Sequence, residues 1–204
     1  TLLDTIDDIS DLINGIFRKH GFPSHDRESY KRFIGEGIFI AIKRALAKEE
    51  AEEDTILKIA GEIAIEFPKL GIVKTKPYKG ILELVDELKK RNIRMSVFSN
   101  RPDLSTQLLV KHFFKDGTFE VVTGATPESP LKPDPFVAIK IAKQMNIPTN
   151  KFCYLGDSDV DMQTATAAGM YPVGVLWGFR PKKELIENGA KRLIKTPGEL
   201  LALF

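Results

Sequence analysis

Cysteine is nearly absent from this sequence: Cys153 stands alone among 204 residues, so no disulfide bond can form within the chain. Chains without disulfide bonds are typical of reducing compartments, and we therefore expect a cytoplasmic protein. Long apolar runs are also absent, since none approaches the roughly 18 residues that a membrane-spanning helix requires. We accordingly expect no membrane partner.

Charge of one sign is not in excess either, because 30 basic side chains face 28 acidic ones and the net charge is +2. The basic residues form no stripe of the kind that nucleic-acid binding usually needs, so we expect no nucleic-acid partner. A small anionic ligand is compatible with this balance. At roughly 150 residues per domain, the length allows one full domain and a smaller second one.

The first third of the chain has the apolar spacing of helices and no pattern typical of a strand before residue 90. One helix is predicted to end at Gly21, a second to run from about residue 37 to 48, and a third to end at Pro68. The apolar positions of the first helix recur at helical intervals; they are Ile6, Ile9, Ile13, Ile16 and Phe17. This pattern predicts a small helical domain.

From residue 78 onward the pattern changes to short apolar strands that alternate with helices. The predicted strands lie at residues 93–98, 119–122, 152–155, 172–175 and 193–194. The predicted helices lie near residues 81–88, 102–112, 136–145, 159–168 and 181–188, with a last one from Pro197. Such alternation is typical of an α/β fold, with a parallel, Rossmann-like sheet and helices on both faces. Because ligands bind beyond the carboxyl ends of parallel strands, the turns after the strands are the candidate functional segments.

The turn after the strand at 152–155 is the most acidic of these, with Asp157, Asp159 and Asp161 close together. Mg²⁺ prefers one or two carboxylates beside a substrate phosphate, so the turn is a candidate metal site. Helix capping is the alternative interpretation, since Asp and Ser are favoured at the start of a helix. Capping alone accounts for one or two of these residues, and the turn by itself does not decide between the two interpretations.

Two further turns carry groups that suit a phosphate. Ser99 and Asn100 end one predicted strand and offer a hydroxyl, an amide and backbone N–H groups to an anion. Lys132 lies among prolines on a stiff turn, where its charge can offset that of a phosphoryl group. Each turn also has a purely structural explanation, a helix cap for the first and a solvated lysine for the second.

Four residues at successive strand ends resemble the motifs of the haloacid-dehalogenase-like phosphatases: Ser99, Lys132, Asp157 and Asp161. The resemblance extends over the whole chain. Three segments are similar to phosphoglycolate phosphatases in particular, and they lie at residues 32–37, 76–80 and 173–180. The resemblance implies a parallel-sheet core with a small α-helical cap domain, divided here as a cap at residues 6–77 and a core at residues 78–204.

The nucleophile of this family is the first Asp of an Asp-x-Asp-Gly-Thr motif, whose second Asp is the general acid and base. The printed sequence begins at Thr1-Leu2-Leu3-Asp4, which resembles the end of that motif. Residues 1–5 are therefore interpreted as a remnant of the first core motif. Neither motif aspartate is among the printed residues, so no nucleophile is assigned and we expect the chain as printed to be inactive.

The resemblance further implies Mg²⁺ as the cofactor, with Asp157 as a ligand, and a small phosphorylated molecule as the substrate. Ser99 and Asn100 are implied to hold phosphoryl oxygens, and Lys132 to offset their charge. Asp161 is implied to orient Lys132 or a metal-bound water. The implied reaction is hydrolysis through an aspartyl-phosphate intermediate.

The expected substrate is 2-phosphoglycolate, because a glycine-flanked helix start in the cap can receive its carboxylate. A glycine turn between two cap helices explains the same segment equally well. Arg44, on the following helix, is a candidate second anion contact, although a solvated helix face explains it too. The candidate substrate-binding residues are Gly35, Glu36, Gly37 and Arg44.

Other functions fit the same residues. Within the fold they are a phosphatase acting on a sugar phosphate or pyrophosphate, a phosphoglucomutase-like enzyme and a haloacid dehalogenase. A mutase more often has Glu-Asp where Gly156-Asp157 stands, and a dehalogenase leaves the acidic cluster unexplained. Outside enzymes, a phosphatase-like domain that lost its nucleophile is a non-catalytic binding module, although retention of all four motif residues argues against it. Both a monomer and a homodimer are compatible with the sequence.

Overall fold

The computed structural model describes residues 1–69 and 72–204 and separates into two compact units. The helical unit comprises Asp4–Lys76. The sheet unit comprises Thr1–Leu3 together with Pro77–Phe204. Both units bury apolar side chains, so each has a hydrophobic core of its own.

The chain passes between the two units at a pair of very short strands. They are β1 at Leu3–Asp4 and β2 at Lys76–Pro77, and they pair with each other. The expectation of no strand before residue 90 is therefore wrong. Two residues are too few to show the alternation of apolar and polar side chains by which a strand is predicted.

The helical unit is built around α1, which runs over Ile6–Lys19. All five of its predicted apolar positions are buried, as expected for an amphipathic helix. Three helices follow: α2 at Arg27–Phe33, α3 at Ile38–Ala45 and α4 at Glu53–Glu66. Short 3₁₀ turns at Ala47–Glu49 and Phe67–Lys69 come after α3 and α4. The three helices predicted for this region are thus present.

The helix that the sequence did not predict is α2. Tyr30 is its only buried residue, so it has no apolar stripe from which a helix is recognised. The helix begins instead with a polar cap, because the Asp26 side chain accepts a hydrogen bond from the Ser29 N–H at 2.7 Å. The Tyr30 hydroxyl, buried against α1, donates to Asn14 Oδ1 at 2.7 Å.

A buried carboxylate on α1, that of Asp8, holds the segment that leads into β2. It accepts hydrogen bonds from the Thr75 hydroxyl (2.7 Å), the Thr75 N–H (2.8 Å) and the Lys74 N–H (2.9 Å). Burial raises the pKa of Asp8, but these hydrogen bonds outweigh burial and hold the pKa below its ordinary value. The charged carboxylate is therefore the form that the folded helical unit stabilises.

The sheet unit has the alternation of strands and helices that the sequence predicts. Its helices are α5 at Ile81–Lys90, α6 at Asp103–Phe113, α7 at Phe136–Gln144, α8 at Asp159–Ala167 and α9 at Lys182–Glu187. Its strands are β3 at Ser96–Pro102, β4 at Val121–Ala125, β5 at Cys153–Gly156, β6 at Tyr171–Val175 and β7 at Arg192–Ile194. Three details differ from the prediction. The strand β3 begins later and includes Ser99 and Asn100, and β4 begins later and runs to Ala125. The last helix, Pro197–Leu203, is a 3₁₀ helix.

Every strand pair in this unit that has a defined register is parallel, which confirms the predicted α/β class. The strands β3 and β4 pair with each other, and β5, β6 and β7 form a second group in that order. The carboxyl ends of the strands within each group therefore lie at one edge of the sheet.

Helices cover both faces of β6. Val173 and Val175 pack in one core cluster with Leu84 and Leu88 of α5, while the intervening Gly174 approaches Leu185 of α9. Since successive side chains of a strand point to opposite faces, α5 and α9 lie on opposite sides of the sheet. In the part of the chain that the structure describes, no helix is both long enough and apolar enough to cross a bilayer.

Replacing Asp8 with alanine is expected to destabilise the protein by about 3 kcal/mol, because buried N–H and hydroxyl donors lose their acceptor. Since the folded pKa lies below the ordinary value near 3.8, this stabilisation is complete above that pH. It disappears as the pH falls through the lower, folded pKa. Urea unfolding of wild type and Asp8→Ala from pH 7 to pH 3 measures both effects.

The matched control is Asp11→Ala on the same helix, which removes an exposed ion pair with Lys74. Exposed pairs contribute little, so this variant should unfold close to wild type. Equal loss of stability in Asp8→Ala and Asp11→Ala contradicts the role assigned to the buried carboxylate.

Candidate active site

The three turns singled out in the sequence are joined in the sheet unit by hydrogen bonds. Asn100 Oδ1 accepts from the Lys132 backbone N–H at 2.8 Å, and Asn100 Nδ2 donates to the Lys132 carbonyl oxygen at 3.1 Å. Lys132 Nζ in turn lies 2.7 Å from Asp161 Oδ1. Residues from β3, from the loop after β4 and from the start of α8 thus form one cluster.

Lys132 is the cation of this cluster, and its side chain is only 11% exposed. Its ammonium lies 5.3 Å from the centre of the Phe98 ring, within the range of a cation–π interaction. Burial lowers the pKa of Lys132, but the Asp161 carboxylate and the Tyr154 phenol outweigh burial and raise the pKa above its ordinary value. The lysine is therefore protonated over the physiological pH range.

Asp161 has both of its carboxylate oxygens engaged. Oδ1 faces Lys132, while Oδ2 accepts from the Asp157 N–H (3.2 Å), the Ser158 N–H (3.1 Å) and the Ser158 hydroxyl (2.6 Å). With Ser158 as the N-cap, α8 begins with a reciprocal capping box. The sequence allowed two interpretations of this turn, helix capping and a role in the site. Asp161 does both, because it caps α8 and pairs with Lys132.

Asp157 is buried just after β5, and its two oxygens have different surroundings. Oδ2 accepts a hydrogen bond from the Phe179 N–H at 2.9 Å. Oδ1 lies 2.8 Å from the Thr1 amino group and accepts a hydrogen bond from the Thr1 hydroxyl. Burial raises the pKa of Asp157, but the positive amino group and these hydrogen bonds outweigh burial and lower the pKa.

The acidic turn after β5 is the candidate site for a metal ion. Mg²⁺ often takes only one or two carboxylates, with waters and phosphate oxygens completing its ligands. Asp161 has both oxygens engaged and Asp159 lies 3.5 Å from Arg180, while Asp157 directly follows β5, the position that the family resemblance gives to a metal ligand. Among the described residues, no group of three or more His, Cys, Asp and Glu side chains could hold a metal ion. The donor set fits a hard ion that relies on water and substrate.

Ser99 lies inside β3 rather than after it. Its hydroxyl oxygen accepts a hydrogen bond from the Arg101 backbone N–H at 3.1 Å. A hydroxyl that accepts in this way still has its own proton to donate to another acceptor. The contact of Ser99 with a phosphoryl group stays a prediction.

The predicted substrate-binding residues form a separate cluster in the helical unit. Gly35 and Gly37 both have positive φ, and Gly37, with φ of 92°, is the N-cap of α3. Glu36 forms an ion pair with Arg44, whose Nη1 also donates to the Phe33 carbonyl oxygen at 3.3 Å. Arg44 is thus bound to the segment that precedes its own helix. Contact between this cluster and a substrate stays a prediction.

Two glycines that the sequence reasoning did not assign bring the backbone against the site carboxylates. A Cβ atom on Gly156 would overlap the Asp161 side chain, and one on Gly178 would overlap the Asp157 side chain. Neither glycine has positive φ, so it is space rather than backbone freedom that requires glycine here. Gly156 directly precedes Asp157, so its position in the sequence indicates that it lies at the site. Nothing near Gly178 in the sequence indicates that it contacts Asp157.

Comparison with known proteins agrees with the motif order. A family model described as haloacid dehalogenase-like hydrolase matches residues 1–175. The chain belongs to this family. A phosphoglycolate phosphatase of Pseudomonas savastanoi pv. phaseolicola is 24% identical over 204 residues, which cover 98% of this chain and 75% of the relative. One of Colwellia psychrerythraea is 24% identical over 206 residues, which cover 98% of this chain and 91% of the relative.

A solved structure gives the same result for the fold. A crystal structure from Lactobacillus delbrueckii subsp. bulgaricus, provisionally assigned as a phosphoglycolate phosphatase, is 29% identical, with a TM-score of 0.89. The match covers 98% of this chain and 92% of that one. The predicted resemblance to haloacid-dehalogenase-like phosphatases is therefore confirmed, together with the α/β fold.

Replacing Gly178 with alanine is expected to destabilise the phosphatase by about 1–3 kcal/mol, the usual cost of forcing a methyl group into filled space. The added Cβ must displace the Asp157 side chain or the loop after β6. Urea unfolding followed by the fluorescence of Trp177, the only tryptophan of the chain, measures the change.

Gly198→Ala in the same unit is the matched control, because a Cβ there has no atom within 4 Å. Its effect should stay within about 0.5 kcal/mol, as for most surface substitutions. If the two variants unfold at the same urea concentration, Gly178 does not approach Asp157 as closely as described.

Proposed function

We propose that the chain is a Mg²⁺-dependent phosphatase that hydrolyses a small phosphomonoester. One observation carries the proposal: the ammonium of Lys132, paired with Asp161, belongs to the same cluster as the buried carboxylate of Asp157, whose N–H donates to Asp161. A phosphate suits the lysine together with an ion held by Asp157, because the charge of a reacting phosphoryl group lies on its peripheral oxygens.

In this proposal Asp157 would hold the ion, while the Phe179 N–H keeps Oδ2 in place. The ion, when bound, supplies positive charge to the phosphoryl oxygens and orients the phosphate. Lys132 offsets a further share of that charge, and Asp161 keeps the ammonium in position. Ser99 donates its hydroxyl proton to a phosphoryl oxygen. Because every group is already fixed by protein contacts, little reorganisation accompanies the reaction.

Asn100 has a positioning role in this proposal. Its amide makes two hydrogen bonds to the Lys132 backbone, so it fixes the loop from which the lysine reaches the site. Its own backbone N–H is the group proposed to contact the phosphate. Asn100 is therefore proposed to bind the phosphate through its backbone and to position Lys132 through its side chain.

The covalent step of the proposal uses the first aspartate of the Asp-x-Asp-Gly-Thr motif that the family resemblance implies. Its carboxylate attacks phosphorus, so that a new P–O bond forms while the ester P–O bond breaks. The leaving alkoxide takes a proton from the second motif aspartate. Water, deprotonated by the same group, then releases inorganic phosphate and restores the carboxylate.

We further propose 2-phosphoglycolate as the substrate, supported by the curated relatives named as phosphoglycolate phosphatases. A second support is the start of α3 after Gly37, where the first N–H groups have no intrahelical partner and attract an anion. The proposal includes a cap at residues 6–77, a core at residues 78–204 and a cytoplasmic location.

Asp157→Asn is expected to lower Mg²⁺-dependent hydrolysis by more than about 100-fold, the range typical for losing one group that stabilises transition-state charge. The amide keeps the size of the side chain and the bond from Phe179 but has no charge for the ion. The measurement is phosphate release from 2-phosphoglycolate, with Mg²⁺ and with EDTA, by a protein that also carries the Asp-x-Asp-Gly-Thr motif.

Asp86→Asn, on the exposed face of α5, is the control and should retain wild-type turnover. Wild-type turnover in Asp157→Asn removes Asp157 from the metal site. A panel with a sugar phosphate, pyrophosphate and a haloacid decides the substrate class, and turnover of the haloacid in EDTA contradicts a Mg²⁺-dependent phosphatase.

The carboxylate site is tested at Ile38, the first residue of α3. Proline is tolerated at this position of a helix, so Ile38→Pro removes one N–H donor while leaving the helix intact. The KM for 2-phosphoglycolate is expected to rise by about tenfold, as for loss of one hydrogen bond to a charged group. The KM for p-nitrophenyl phosphate, which has no carboxylate, should stay constant.

Ile38→Val is the matched control, since it trims the side chain and keeps the N–H. Equal KM values for 2-phosphoglycolate in both variants exclude the start of α3 as the carboxylate site.

A further inference from the structure

The segment that follows β6 contains a buried arginine that the proposed reaction does not use. The side chain of Arg180 is only 7% exposed. Its Nε lies 2.8 Å from Glu184 Oε1 on α9 and 3.5 Å from Asp159 Oδ1 in the first turn of α8. One guanidinium therefore links the segment after β6 to two different helices.

The backbone of the same segment surrounds Asp157. The Phe179 N–H donates to Asp157 Oδ2 at 2.9 Å, and the Arg180 N–H donates to the Asp157 carbonyl oxygen at 3.1 Å. The Cα of Gly178 lies so close to the Asp157 side chain that no Cβ fits between them. Gly178 and Phe179 thus fix the Asp157 carboxylate, and Arg180 fixes the Asp157 backbone.

Backbone contacts of this kind hold a side chain only if the segment itself stays in place. The segment leaves β6 without regular secondary structure before α9 begins at Lys182. Its neighbour Asp159 belongs to the turn that carries Asp157, so an ion pair between Arg180 and Asp159 joins the segment to that turn. A buried guanidinium also demands these partners, because a buried charge without one is costly.

We infer that Arg180 is a positioning residue for Asp157: its links to Asp159 and Glu184 fix the segment whose N–H groups and glycine aim the carboxylate. The inference rests on the proposed role of Asp157 as the ligand of a divalent ion. The inference assigns Arg180 no contact of its own with ion or substrate. It acts through Phe179 and Gly178, as outer partners commonly orient a metal ligand.

A purely structural role for Arg180 predicts a different result when the arginine is replaced. If the arginine only stabilises α9 through its pair with Glu184, its loss lowers the stability of the fold without changing the properties of Asp157. The two roles are separated by measurements on Asp157 and Phe179 in variants that remain folded.

The test compares Arg180→Gln with Arg94→Gln in the full natural chain. Arg94 also links separate elements, through Glu120 (2.7 Å) and the Met145 carbonyl oxygen (2.8 Å), but it does not contact the site turn. The first readout is amide hydrogen exchange at Phe179 in the metal-free protein. The second is the affinity for Mn²⁺ alone, measured by electron paramagnetic resonance, because Mn²⁺ takes the same oxygen ligands as Mg²⁺.

Arg180→Gln is expected to speed exchange at Phe179 and to weaken Mn²⁺ binding by about tenfold or more, the range usual for outer partners of a ligand. Arg94→Gln should leave both properties as in wild type. Arg180→Lys keeps the charge, so it should recover part of the slow exchange at Phe179 and part of the Mn²⁺ affinity. If Arg180→Gln does not fold, Arg180→Lys takes its place in the comparison.

Unchanged exchange at Phe179 and unchanged Mn²⁺ affinity in the folded Arg180 variants overturn the inference. Equal effects of the Arg180 and Arg94 substitutions overturn it as well, since they indicate general loss of stability. If wild type binds no Mn²⁺, it is the proposed metal role of Asp157 that fails. Exchange at Phe179 then decides alone whether Arg180 positions the segment.

Discussion

The ion pair between Lys132 and Asp161 is the interaction on which the rest of the site depends. It brings a full positive charge into the interior, and that charge is tolerable only because a carboxylate lies 2.7 Å away. The same carboxylate caps α8 and thereby shapes the turn that carries Asp157. On the other side, the Asn100 amide fixes the loop that delivers the lysine. Each member supplies the hydrogen-bond or charge partner of the next. Removing one member therefore leaves a polar group without its partner, which costs more free energy than a single pair suggests.

Much of the fold and of this network could be predicted from the sequence, for one physical reason. The period of apolar residues is a local property, and it locates α1 and the alternating elements of the sheet unit. Parallel strands then place their carboxyl ends at one edge, so polar residues at strand ends are expected to meet there. The resemblance to the haloacid-dehalogenase-like phosphatases then joins Lys132, Asp157 and Asp161 in one hypothesis, although their spacing along the chain is wide.

What could not be predicted depends on contacts that leave no local pattern. The helix α2 has a polar cap and one buried residue, so its apolar period is too weak to be recognised. The Asn100 amide could equally well have faced a ligand, and only the folded chain reveals that it binds the Lys132 backbone. The approach of Gly178 to Asp157 joins residues from separate loops. In each case long-range geometry, rather than residue type, decides the role.

The two site glycines have a consequence for how this protein can change over time. Gly156 and Gly178 face the carboxylates of Asp161 and Asp157 with bare Cα atoms. Every single substitution there adds at least a methyl group to occupied volume, so no gradual path leads away from glycine. Elsewhere, substitutions at separate sites have roughly additive effects on stability, so one can offset another. Tolerance to substitution is therefore low at two positions that have no side chain at all.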